Sequence, residues 1–90
     1  MGIKMKIPWF LQRDTNGMKE IEVNGNTVGD CLRNLVGLFP HIERELFDQQ
    51  AKLSPFVDIH IGGRSVYSEG LARVVKDGDE LSILLVVDGG

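Results

Sequence analysis

One stretch of the chain, residues 27–40, is patterned as an amphipathic helix, and the segments on either side of it alternate apolar and polar residues with period two. Val28 is followed by Leu32, Leu35, Val36 and Phe39 at spacings of four, seven, eight and eleven. That spacing predicts one apolar stripe on a helix of about three turns. Thr27 is a good N-cap, and Asp30 stands at the third helical position, which approximates a capping box. Pro40 ends the regular stripe. A single helix with one apolar face has to bury it, and one-sided strands offer the complementary surface.

The flanking segments supply those strands. Ile3, Met5 and Ile7 point one way while Lys4 and Lys6 point the other. Ile21 and Val23 alternate with Glu20 and Glu22. Asp14-Thr15-Asn16-Gly17 lies between these runs, and Asn-Gly supplies positive φ cheaply, so the two read as a hairpin. A further helical turn is expected over 41–47, carrying Ile42, Leu46 and Phe47, and then a polar loop over 48–55. Val57, Ile59 and Ile61 form a third alternating strand, closed by Gly62-Gly63. Residues 64–79 read as irregular, with Val66, Leu71 and Val74 dipping into the core, and Asp77-Gly78-Asp79 as a turn. In the last strand Leu81, Ile83 and Leu85 take the inward face. The order strand, strand, helix, strand, link, strand predicts an α+β fold of the β-grasp, ubiquitin-like kind. It has a mixed four- to five-stranded sheet with one main helix across one face. The expected domain is 1–86, followed by a flexible tail over 87–90.

Composition narrows the function. Ninety residues allow one domain. Net charge is −3 with no basic block, which argues against a nucleic-acid partner. The longest aliphatic run, Ile83 to Val87, falls far short of the ~20 residues of a membrane span. The N-terminus lacks the apolar core of a signal peptide, so a cytoplasmic location is expected. Cys31 is the only cysteine, and His41 and His60 sit in different elements, so no metal site is expected. No phosphate-binding glycine loop and no nucleophile elbow is present. The chain is expected to have no catalytic residues of its own and to bind no cofactor.

The end of the sequence is its most informative part. The final strand gives way to Val87, Asp88, Gly89 and Gly90. A terminal glycine carboxylate has no side chain beside it and passes through a narrow channel. Four extended residues reach about 13 Å, at ~3.3 Å each, far enough to enter a partner's active site. A free carboxylate is a poor electrophile and needs adenylation by another protein, which spends the ATP.

The whole chain resembles the MoaD/ThiS sulfur-carrier proteins. The matching pieces are Thr27-Val28-Gly29-Asp30-Cys31-Leu32, Phe39-Pro40, Lys76-Asp77-Gly78-Asp79-Glu80-Leu81 and Gly89-Gly90. The resemblance implies that Gly90 is adenylated by a ubiquitin-activating-enzyme-like adenylyltransferase and converted to a thiocarboxylate. The sulfur then passes to an accepting synthase in a molybdopterin/tungstopterin-, cysteine- or thiamine-type pathway. It implies a protein co-substrate, with the small subunit of a synthase as a further role. The tail departs from the Phe-Pro-Pro-like stretch common in MoaD, having Leu84-Leu85-Val86-Val87-Asp88 instead, which argues against a standard role in molybdopterin synthase. The length and the stretch Gly70-Leu71 to Asp79 look more like the branch that supplies sulfur for cysteine synthesis. The alternative is a ubiquitin-like modifier joined to lysines through Gly90.

Three side-chain readings complete the expectation. Leu84 and Val86 fall on the outer face, where a sheet covered by one helix should be polar, so they are assigned to partner docking. Coverage by the 64–79 segment is the competing explanation. Trp9 and Phe10 either pack on the core or meet a partner. Cys31, one residue off the apolar stripe, is read as a structural thiol, with a sulfur relay as the alternative.

Overall fold

The alternation read from the sequence becomes the register of a sheet. The computed structural model describes residues 2–86; Val87, Asp88, Gly89 and Gly90 lie outside them. The strands are β1 (Ile3–Lys6), β2 (Glu20–Val23), β3 (Val57–Ile61), β4 (Arg64–Ser65) and β5 (Glu80–Leu85). The helices are α1 (Val28–Leu38) and the one-turn α2 (Glu43–Leu46), and 3-10 segments cover Trp9–Thr15, Pro40–Ile42 and Gly70–Ala72. The sheet order is β2-β1-β5-β3-β4. β1 and β5 run parallel at its centre, and the other neighbours are antiparallel. This is the expected β-grasp, with five strands.

Ile3, Met5, Ile21, Val23, Val57, Ile59, Leu81 and Ile83 are buried on one face of the sheet. Val28, Cys31, Leu32 and Leu35 of α1 complete that core, together with Ile42, Leu46 and Phe47. The start of α1 is capped as its sequence suggests. Thr27 Oγ1 accepts from Asp30 N–H at 3.1 Å, and Asp30 Oδ2 accepts in return from Asn26 N–H at 3.1 Å. On the opposite face Lys4 lies across from Glu22 and beside Glu80, and Lys6 lies across from Glu20. Their ion pairs, Lys4 to Glu20 at 3.9 Å and Lys6 to Glu80 at 3.5 Å, are half exposed. They keep the face wet more than they stabilise it.

The structure corrects four local readings. The first two strands are not joined by a tight turn: the 3-10 segment stands between them, with Leu11 and Thr15 buried beneath it. The Asn16-Gly17 turn closes that segment, with φ of 56° and 80°. The second correction is in the 64–79 link, where Val75 is buried and Val74 is 65% exposed. Val75 N–H donates to Asn26 O at 3.0 Å, and Val28 N–H to Arg73 O at 2.9 Å; these bonds fix which valine faces inward. The third is β4, two exposed residues too short to show a period. Last, Leu85 pairs with buried Val57 but is 47% exposed, since it lies at the end of the sheet, beyond what the core seals.

Candidate functional site

The parallel pairing of β1 and β5 sends the C-terminal ends of both strands to the same end of the sheet. The antiparallel partners β2 and β3 begin at that end. Val86 N–H donates to Phe56 O at 2.9 Å, extending the β3–β5 ladder by one step. Ile7 N–H donates to Lys19 O at 2.8 Å, doing the same for β1 and β2. Trp9, Met18, Phe56, Leu84, Leu85 and Val86 therefore gather at the end where the chain leaves the sheet, and all are exposed. The opposite end carries polar turns, Asn24-Gly25-Asn26, Gly62-Gly63 and Asp77-Gly78-Asp79. This exposed apolar end is the candidate interaction surface.

Leu84 and Val86, assigned to docking from the sequence, are 37% and 38% exposed. The later part of the 64–79 link runs against the start of α1, where a Cβ on Gly29 would lie a tight 3.2 Å from Leu71. Tyr67 and Ser68 of its earlier part flank Val86 across a groove and leave it part exposed. Of the two aromatic residues, Phe10 packs on the core and Trp9 is 81% exposed, with the rings edge-on at 6.0 Å. Sequence reasoning left Phe56 unassigned. Its signal is the position beside Pro55, just before a strand that starts at the tail end. Gly90, Gly89, Asp88 and Val87 lie outside the described residues.

Cys31 is fully buried. Its sulfur packs on Gly25, where a Cβ would come within 2.7 Å of Sγ. Burial first, and then the charge of Asp30, push the thiol from 9.0 up to about 11. α1 starts where β2 exits, so this thiol lies toward the end of the sheet opposite the tail. A buried thiol kept protonated is a poor sulfur nucleophile, which favours the structural role. The native chain holds this proton to higher pH than the unfolded chain does. The stability it contributes is present below pH 9.0 and is lost as pH rises toward about 11. Denaturant midpoints should fall over that range in the wild type, and fall less in Cys31→Ala.

His60 Nε2 lies 3.2 Å from Asp58 Oδ2 on the polar face of β3, while His41 is exposed after α1. Among the described residues no cluster of three or more His, Cys, Asp or Glu is placed to hold a metal ion. Among them no helix is long and apolar enough to cross a membrane.

No protein-family model matches the chain. It is 34% identical to the sulfur carrier protein CysO of Mycobacterium tuberculosis over 93 aligned residues, covering all of both chains. It is 32% identical to the small archaeal modifier protein 1 of Haloferax volcanii over 78% of each. It superposes on a chain of the Amycolatopsis orientalis BexX/CysO complex with a TM-score of 0.89 and 32% identity, covering 98% of this chain and 99% of that one. A likeness that runs the full length of the chain and holds in both sequence and fold makes this protein a member of the MoaD/ThiS-type sulfur carrier family.

Proposed function

We propose that this chain carries sulfur as a thiocarboxylate on Gly90. The observation that supports the reading is the apolar end of the sheet at the root of the Gly-Gly sequence. A partner seated on Trp9, Leu84 and Val86 is in position to receive the residues that follow. In the first step the Gly90 carboxylate attacks the α-phosphorus of ATP on a ubiquitin-activating-enzyme-like adenylyltransferase and releases pyrophosphate. A sulfide-level sulfur donor then displaces AMP from the acyl group, leaving a thiocarboxylate. An accepting synthase takes the sulfur, and hydrolysis restores the carboxylate. The chain binds no nucleotide itself; the activating partner holds the ATP. Its place is the cytoplasm, and its role is co-substrate or small synthase subunit. The cysteine-type pathway is favoured by the full-length likeness to CysO.

A second reading, a protein modifier joined through Gly90 to lysines, is favoured by the likeness to the archaeal modifier protein. Intact mass measurement on protein from its own cells separates the two. A carrier shows the mass increase of one oxygen replaced by sulfur, and a modifier shows ladders of higher-mass conjugates. Unmodified chain alone, in cells short of the pathway's product, would refute both.

Docking has its own test. Leu84→Thr with Val86→Thr keeps β-propensity and removes apolar contact area. The double variant should need about tenfold more chain for half-maximal activation, a loss of ~1.4 kcal/mol of docking free energy. Its melting temperature should stay near the wild-type value, because both side chains are already exposed.

A further inference from the structure

The outer face of the sheet is not uniform in charge. Lys4 and Lys6 are answered by Glu20 and Glu80. Asp58, directly across from Leu84, is different. Its side chain is only 20% exposed, whereas those of Glu20 and Glu80 are near half exposed. Among the described residues its only ionic contact is the imidazole of His60 at 3.2 Å. Its orientation is fixed: Oδ1 accepts from Ile59 N–H at 2.8 Å and from Ser65 Oγ at 3.0 Å. Ser65 Oγ is itself held by Tyr67 N–H at 3.1 Å. A half-buried carboxylate with few charges around it is held ready for a cation.

The space beside it fits one. β4 pairs only with His60 and Ile61, so the Val57–Asp58 half of β3 is bonded to β5 on one side and has no strand on its outer edge. A groove of about 710 Å³ runs there, with Leu53, Pro55, Tyr67 and Val86 as apolar walls and Asp58 and Ser68 as polar ones. Apolar walls lower the local dielectric and strengthen a charge pair formed inside. Val86 links the groove to the docking surface and to the point where the chain leaves the sheet.

We propose that this groove takes a lysine or arginine side chain of the activating enzyme, with Asp58 as its counter-charge. The aliphatic stem of that side chain lies against Tyr67 and Val86 and its cationic head meets Asp58 Oδ2. Leu84 and Val86 supply affinity through area, and Asp58 selects the partner by charge. This rests on the sulfur-carrier reading, since adenylation is what the docking serves.

The test is ATP–pyrophosphate exchange by the adenylyltransferase of the same genome, titrated with full-length chain at low and at high salt. Asp58→Asn keeps an oxygen for the Ile59 and Ser65 bonds and removes the charge. It should raise the half-saturating concentration about tenfold at low salt and flatten the salt dependence, with maximal rate and melting temperature unchanged. His60→Lys leaves Asp58 intact and neutralises it from the same face, and should weaken docking in the same salt-dependent way. Leu84→Thr with Val86→Thr should weaken docking at both salt concentrations and keep the salt slope. Wild-type exchange with an unaltered Asp58→Asn titration overturns the groove assignment and leaves the carrier reading standing. A lowered melting temperature with an unchanged salt slope, in both Asp58→Asn and His60→Lys, overturns it in favour of a structural role. Concentration-dependent dimerisation abolished by Asp58→Asn would give the groove to a second copy and also overturns it. No exchange with wild-type chain refutes the carrier reading and this proposal together.

Discussion

Deletion of Gly90 will abolish thiocarboxylate formation and leave the domain folded. The chemistry needs a carboxylate that a narrow site can admit, and removing Gly90 puts the carboxylate on Gly89, one residue short of the reacting phosphate. A carboxylate moved by ~3.3 Å is out of in-line geometry, and misplacement of about 1 Å is already enough to cost some 100-fold. Extension beyond Gly90 removes the carboxylate from that position altogether. Every buried apolar side chain among the described residues lies between Ile3 and Ile83, so the melting temperature should match the wild type. The assay is mass detection of the acyl-adenylate and thiocarboxylate with the activating enzyme. Normal activation of the deletion would show that Gly90 is not the reacting residue.

Leu32→Ala or Leu35→Ala should cost about 2–5 kcal/mol. Both side chains are fully buried on the stripe of α1 that faces the sheet. The core they belong to includes Met5, Ile59 and Leu81 on strands pinned by ladder hydrogen bonds, which limits how far it can collapse into the gap. A domain of this size has only about 5–15 kcal/mol in total. Each kcal/mol lowers the melting temperature by about 4–8 °C, so either variant should melt well below the wild type. Lys19→Ala, on the exposed turn before β2, is the control and should move it little. Equal melts for the leucine variants and the control would mean that the stripe does not face the sheet.

Elements whose side chains alternate or repeat were legible in the sequence, because burial imposes those periods. β1, β2, β3 and α1 fall within a residue or two of where the pattern put them. The Trp9–Thr15 segment was not legible. Trp9, Phe10 and Leu11 are consecutive and apolar, and nothing local says that Leu11 is buried while Trp9 is 81% exposed. The choice between Val74 and Val75 is made by a bond to Asn26, a distant partner that no local pattern reveals. At the candidate site, Leu84 and Val86 stood out because they break a polar face. Asp58 obeys that face as Lys4 does, and only the geometry of Ser65, His60 and the groove beside β3 sets it apart. The assignment of Gly90 rests on the resemblance and on carboxylate chemistry.

The central place of β5 has a mechanical consequence. A partner that draws the C-terminal residues into its active site pulls along the axis of a strand bonded on both sides, to β1 in parallel and to β3 in antiparallel register. Load on that strand runs along the ladders, so many hydrogen bonds share it at once. An edge strand such as β2, bonded on one side only, would have one ladder to carry the same pull. On the proposed function the sheet is thus a handle for the residues that follow it, since tension at the exit point is carried by both neighbours of β5.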